Sequence, residues 1–371
     1  MATRTKRTLA TMALATVAVL LVPAMAQAQA VINVSDTVNV KFGMQIQSWA
    51  DFQQDTLSNG YMDNLYIRRV RLLMAGQVAP NVTFFFVTDN PNLGKTPKAL
   101  GTGLIVQDAM MSWKISNAFR LEGGLLIVPL SHEGLQSTVA YFSLDISPTA
   151  TVFSGPTQAS GLRDTGFQAR GYLLDRGQLE YRVMASQGIR SAAVAGVDGG
   201  SRNSFRTTVF LNYNFLETED GYVLKGTNLG TRKVLSLSGG WDSQKSYNAY
   251  DGDLFWTLPV AKGDEFGGNA QWTHYDGQAW IPTIPQQNDY VVQVAYLLGG
   301  AKTQPFAKYE AQKFSVASPV SKDLKRWGAG LNYYVSKQNL KLTAQYLRVV
   351  PDASTIRATN EFTVQLQLFY F

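Results

Sequence analysis

Arg69 and Arg71 stand two residues apart in the run Tyr66-Ile67-Arg68-Arg69-Val70-Arg71-Leu72. On an extended chain that spacing puts both guanidinium groups on one face, about 7 Å apart, where they could hand an anion from one to the next. The same spacing suits two arginines that pair with acids and stiffen a wall, and the sequence gives the two uses equal weight. Other groups that could do chemistry are few. The histidines are His132 and His274, and neither falls in a nucleophile motif. Tyr250-Asp251-Gly252-Asp253 is a weak match to a cation-binding turn, and a solvated strand end is its commoner use. Cysteine is absent, which removes disulfides and thiolate metal sites. No Gly-rich phosphate loop opens a helix. No cofactor, metal site or catalytic residue is expected, and the chain does not read as an enzyme.

The elements that must hold these charges are strands. From Val38 the residues alternate, with Val38, Phe42, Met44, Ile46 and Ala50 on one face and Asn39, Lys41, Gln45, Gln47 and Asp51 on the other. Trp327, Ala329, Leu331, Tyr333 and Val335 alternate in the same way with Arg326, Gly328, Gly330, Asn332 and Ser336. The pattern predicts strands at 37–52, 64–78, 82–89, 103–115, 118–128, 163–174, 178–187, 203–216, 233–243, 249–260, 265–275, 289–299, 302–314, 325–336, 339–349 and 359–371. That is an even number, about sixteen, joined by linkers that tend to alternate long and short, as in outer-membrane barrels. The linker 217–232 is long where a short turn is due, which leaves the count open by one hairpin. Hydrocarbon offers a strand edge no hydrogen-bond partner, so such a sheet must close on itself.

The expected fold is therefore all-β, a transmembrane antiparallel barrel of about sixteen strands around an aqueous lumen. Alternation points Lys41, Arg69, Arg71, Asp108, Arg120, Glu122, Asp164, Arg170, Arg182, Arg206, Lys302, Lys308, Arg326 and Lys341 inward as pore-lining residues. Bases and acids of this lining nearly balance, with most of the basic excess in the first half of the strands. The third long loop, 129–162, is expected to fold into the lumen, a long external loop being the alternative. Folded in, it would constrict the pore with Ser131, His132, Glu133, Tyr141 and Asp145 and no base, making a neutral to mildly acidic narrowing. Trp49, Tyr66, Trp113, Trp241, Trp256, Tyr290 and Trp327 are candidates for interfacial girdles. At the end of the chain Tyr370 is in phase with the lipid face and Phe371 is not; a bulge near Phe369 or a reversed terminal residue would reconcile them.

Residues 1–30 form a separate object. Arg4, Lys6 and Arg7 precede an apolar run, and Ala24-Met25-Ala26-Gln27-Ala28-Gln29-Ala30 offers small-residue cleavage sites after Ala28 or Ala30, as in a secretory signal peptide. Its removal would leave 31–371 as one barrel domain and lower the formal charge from +6 by those three bases. No Lys/Arg stripe remains for nucleic acid.

Four stretches resemble the phosphate-selective porin O and P family: 66–76 (YIRRVRLLMAG), 107–129 (QDAMMSWKISNAFRLEGGLLIVP), 163–188 (RDTGFQARGYLLDRGQLEYRVMASQG) and the ending 364–368 (VQLQL). The resemblance implies a sixteen-stranded porin, usually a homotrimer, with an inward third loop. Members that select phosphate carry lysines on that loop, and here it has none.

These features lead to an expected integral outer-membrane porin that contacts lipid and passes small anionic or neutral solutes by passive diffusion, weakly favouring anions, with phosphate among the candidates. The alternatives are an outer-membrane barrel enzyme, which would need a Ser beside His132 or His274, and a structural or adhesive barrel with an occluded lumen.

Overall fold

The computed structural model describes residues 30–371 apart from 59, 96–97, 99, 101–102, 191–203, 261–262, 317–321 and 353–355. The expected signal peptide lies outside the described residues except for Ala30. In chain order the strands are β1 (Ala30–Asn33), β2 (Asn39–Gln54), β3 (Tyr61–Ala79), β4 (Val82–Asp89), β5 (Ile105–Lys114), β6 (Arg120–Ile127), β7 (Arg163–Leu173), β8 (Leu179–Ser186) and β9 (Arg206–Asn214). They continue with β10 (Val234–Gln244), β11 (Tyr247–Pro259), β12 (Glu265–Asp276), β13 (Gln287–Leu297), β14 (Thr303–Phe314), β15 (Leu324–Gln338), β16 (Leu340–Pro351) and β17 (Thr359–Tyr370).

Strands β2 to β17 pair antiparallel with their sequence neighbours, and β17 returns to β2 from Glu361↔Gln53 to Tyr370↔Met44, closing a sixteen-strand barrel. The short β1 folds back on β2 from Ala30↔Phe42 to Asn33↔Asn39 and takes the stretch of that edge which β17 leaves open. Pairing of β17 runs without a register shift to Tyr370, so the expected bulge is absent. Phe371 continues the alternation inward, with its ring edge-on to Phe85 at 6.1 Å.

The two faces of each strand explain why the chain closes. On β13, Gln287, Asp289 and Gln293 are buried inside while Tyr290, Val292, Val294 and Tyr296 stand outside. Outward aromatics fall side by side on neighbouring strands near the long-loop rim, as Trp241 beside Tyr250, Trp272 beside Tyr290 and Tyr309 beside Trp327. Such a belt fits the boundary between acyl chains and water. Trp49 and Tyr66 depart from the expected girdle. Trp49 Nε1 donates to the lumen-facing Gln365 at 2.8 Å, and the buried Tyr66 ring lies 5.9 Å from it. Among the described residues no helix is long and apolar enough to cross a membrane.

Two connections break the usual asymmetry of loops. Lys245 and Ser246 alone join β10 to β11 at the long-loop end, with Lys245 at φ +55°. Residues 215–233, called T4 below, form the long connection at the opposite end, and they run into the lumen rather than adding a hairpin. The strand number expected from alternation therefore stands. A charge on the outer belt should be costly: Val292→Arg should lower barrel stability by roughly 2–4 kcal/mol in reversible urea unfolding from lipid vesicles.

Candidate functional site

Inside the barrel the two halves of the wall differ. The inward faces of β10 to β14 and the adjoining loop 277–286 carry Val234, Ala249, Phe255, Tyr275, Ile281, Ile284, Ala295 and Phe306, all buried. Residues 128–162, called L3 below, fold inward against these apolar patches, which sit among buried acids such as Asp251, Asp253 and Asp289, with Val128, Leu130, Phe153, Ala159 and Leu162 in one cluster and Phe142 in another. Fully burying one such side chain stabilises by about 1.5–3 kcal/mol, which gives L3 a reason to enter the lumen. Backbone space is made for it: a Cβ on Gly240 would collide with the Leu130 carbonyl, and one on Gly226 of T4 with that of Ala140.

Polar groups fix the middle of the loop. Gln47 and Gln45 reach Thr138, at 3.2 Å to its carbonyl and 2.9 Å to its hydroxyl. Lys341 Nζ donates to the Val139 carbonyl at 3.1 Å, Asn332 to that of Phe142 at 2.7 Å, and the Leu144 N–H donates to Gln345 at 3.1 Å. Across the lumen from these patches, Asp145 takes Arg68 Nε at 2.9 Å and Arg69 Nη2 at 2.6 Å. Burial alone would raise the Asp145 pKa, but Arg69 and Arg68 hold its carboxyl below the usual carboxylate range.

The structure accounts for Arg68, which alternation sends to lipid. Gln47 pairs with Arg69 and Ser48 with Ile67, so Arg68 is the extra residue of a β-bulge. The bulge re-aims it, letting two consecutive arginines clamp one carboxylate. Arg163 also escapes the sequence reading. It begins β7 and pairs Asp108 with both forks, at 3.0 and 3.1 Å.

A four-residue helix α1 (His132–Leu135) opens L3, capped by Ser131, whose hydroxyl accepts the Gly134 N–H at 3.0 Å. His132 stacks on Phe255 with centroids 4.1 Å apart, and its Nε2 faces Glu219 of T4 at 2.9 Å. Burial opposes the charged ring, yet Glu219 outweighs it and the His132 pKa is raised. Glu133, whose pKa burial raises, accepts from Ser147 and from Gln293. T4 meets L3 from the other mouth: the Ser137 N–H donates to the Leu224 carbonyl, and that of Leu224 to Leu135, each at 2.8 Å. Arg170 and Arg182 hold T4 by donating to the Gly221 and Tyr222 carbonyls at 2.6 and 2.8 Å, while Glu122 and Glu180 neutralise them.

Between L3 and the β2 to β7 wall lies an open cavity of about 930 Å³. Seven bases line it, namely Lys41, Arg68, Arg69, Arg71, Arg120, Arg163 and Arg170, against the carboxylates Asp89 and Asp108. With Asp145 and Glu122, which pair with members of this set, and with Glu180 set against its nearer partner Arg182, the acids number four and three positive charges remain unmatched. From L3 this cavity meets Gln136, Ser137, Thr138 and Tyr141, so the loop face is neutral.

Of the lining expected from alternation, Lys41, Arg69, Arg71, Asp108, Arg120 and Arg170 meet the cavity. Arg182 lies behind T4, and Arg206 pairs with Asp242 and donates to Thr157 of L3. Asp164 accepts from Ser186 and Gly188, and Lys308 pairs with Glu310, which also meets Arg326 at 3.5 Å. Lys341 is buried behind L3. Lys302 is corrected: it is an exposed residue of the turn between β13 and β14, at φ +54°, and not part of the strand face. Of the five loop residues, Tyr141 lines the cavity, while Ser131, His132, Glu133 and Asp145 hold L3 in place. His132 and His274 contact Glu219, Gln136 and Asn288, and among the described residues no serine hydrogen-bonds to either ring.

No protein-family model matches the chain, and no curated protein matches it in sequence. Solved structures do. An anion-selective porin from Comamonas acidovorans aligns with TM-score 0.61 at 12% identity, over 90% of this chain and 100% of its own. Salmonella typhi OmpF aligns with TM-score 0.58 at 11% identity over 90% and 98%, and the outer-membrane channel DcaP of Acinetobacter baumannii with 0.56 at 13% over 91% and 99%. The fold is that of an outer-membrane porin. Together with the apolar belt, this makes the chain an integral outer-membrane barrel.

The L3 strap has a pH signature. A lowered Asp145 pKa means its contribution is complete above the ordinary carboxyl value of 3.8 and is lost as pH falls below it. The raised His132 pKa works oppositely, stabilising below the ordinary 6.5 and fading as pH rises through the raised value. From Asp145 and His132 the strap should be tightest between about pH 4 and 6.5, with Glu133 easing it as pH rises through its raised value, read as the midpoint of thermal unfolding across pH. Asp145→Asn, which leaves two guanidiniums without their acid, should destabilise by roughly 2 kcal/mol in thermal unfolding.

Proposed function

We propose that the protein is a passive diffusion channel of the outer membrane that admits small hydrophilic solutes and favours anions. The observation that carries this reading is the cavity along the arginine wall, where three positive charges are unmatched and the facing loop is neutral. A positive excess in a narrow aqueous passage raises local anion concentration and disfavours cations. Similarity in fold to an anion-selective porin supports the same direction. Phosphate is one candidate, but no base on L3 faces the passage, so the wall arginines would bind it from one side only. On this reading residues 1–30 are removed on export, the chain performs no catalysis, and three copies associate in the membrane, the last resting on the family resemblance.

One observation favours a second reading. L3 and T4 join backbone to backbone in the lumen, which would suit an occluded barrel with a structural role. Planar-bilayer recording separates the two: purified protein should give discrete conductance steps, and a silent protein would support the occluded barrel. In a KCl gradient the reversal potential should favour chloride. Arg120 has no ion-pair partner among the described residues, and Arg120→Gln should reduce the chloride-to-potassium permeability ratio about twofold to threefold. Arg71→Gln should reduce it further, because Asp89, now 2.9 Å from that guanidinium, is left as a bare negative charge.

A further inference from the structure

Beyond the arginine rungs, towards the mouth where the chain ends, the channel wall changes character. On β3 the inward series runs Arg69, Arg71, Leu73, Ala75, and the registered partners turn apolar with it: Val87 beside Leu73, Phe85 beside Ala75, Met110 beside Phe85. Phe371 comes from the closing end of the chain and meets Phe85 edge-on. In their midst Lys41, level with Ala75, sets its ammonium 4.5 Å from the centre of the Phe371 ring. No carboxylate pairs with Lys41 among the described residues, whereas Arg71 and Arg163 each have an acid of their own and Arg68 and Arg69 share Asp145. All these groups border the same cavity.

A passage shaped only for hydrated inorganic ions gains nothing from aromatic and thioether surface, which water wets poorly. Phosphate brought to Lys41 would have to give up water against phenyl rings that offer it no donor. A carboxylate carried on an apolar body meets both parts of the site. Its charge answers the unmatched ammonium, and its body covers the Phe85 edge and the Met110 sulfur, both of which take an aromatic partner well.

We propose that this half of the channel is a binding station for small monocarboxylates with an apolar body, aryl carboxylates above all, with Lys41 holding the carboxylate and Phe85, Met110 and Phe371 the body. The proposal rests on the channel reading and names its preferred solute class. Single channels in KCl, titrated with benzoate, acetate or phosphate, report it as the concentration that halves the current. Benzoate should act at roughly tenfold lower concentration than acetate or phosphate. Phe85→Ser and, separately, Met110→Ser should each lower the benzoate-to-acetate preference about threefold, a ratio that cancels any general change in conductance. Lys41→Gln should weaken benzoate and acetate alike and leave their ratio in place. Should Phe85→Ser fail to assemble, Met110→Ser carries the test alone. Phosphate acting at or below the benzoate concentration, or a ratio unmoved by the variants that assemble, overturns the proposal. A protein silent in KCl would sink the channel reading instead, and one that conducts but ignores benzoate would sink this proposal only.

Discussion

Every feature of the molecule depends on β17 finding β2. Hydrocarbon cannot satisfy backbone N–H and C=O groups, and each unpaired one costs several kcal/mol, so a sheet in a membrane is stable only as a closed ring. The chain meets that demand at the seam with pairing that continues to Tyr370, after which β1 takes over the same edge of β2. Closure also decides what the side chains face. Strict alternation then sends one residue of each pair to lipid and the other to an interior too wide for wall side chains to fill alone.

That interior is divided by chemistry. The β10 to β14 half sets apolar patches among polar and acidic side chains, and L3 packs on those patches, while the β2 to β7 half presents arginines. Asp145 bridges the gap, its carboxylate shared by Arg68 and Arg69. T4 enters from the other mouth and is held by Arg170 and Arg182, each neutralised by a glutamate. Many luminal charges are thus fasteners for segments inside the barrel, and the passage is what the fasteners leave. Its positive character arises because the bases bordering it outnumber the acids, with Lys41 and Arg120 outside any ion pair among the described residues and Arg68 and Arg69 sharing one carboxylate.

Much of this was legible in the sequence, for a physical reason. A barrel strand has one face in lipid and one in water, so residues such as Tyr290, Val292, Val294 and Tyr296 announce their strand without help from tertiary context. What alternation cannot show is a change of phase or a partner across the lumen. The bulge at Arg68 inverts the pattern upstream of it, which hid Arg68 from the site and turned Tyr66 inward. Lys302 continues the apparent alternation of β14 although the turn has already begun. Arg182, Arg206 and Lys341 were legible as inward, but their targets, Tyr222, Thr157 and Val139, lie far along the chain on segments with no periodicity. The linker 217–232 likewise signalled an anomaly through its length alone; only the contacts of Leu224 with L3 explain it.

The central claim is that the passage runs between L3 and the arginine wall, with the opposite side of L3 sealed. Because the chain has no cysteine, single substitutions give a clean test by charged methanethiosulfonate reagents during channel recording. Thr138→Cys, on the cavity face of L3, should react and step the current down, while Gln293→Cys, packed behind the loop against Glu133, should stay silent. Rapid modification at Gln293→Cys with none at Thr138→Cys would place the passage on the wrong side of the loop and contradict the account.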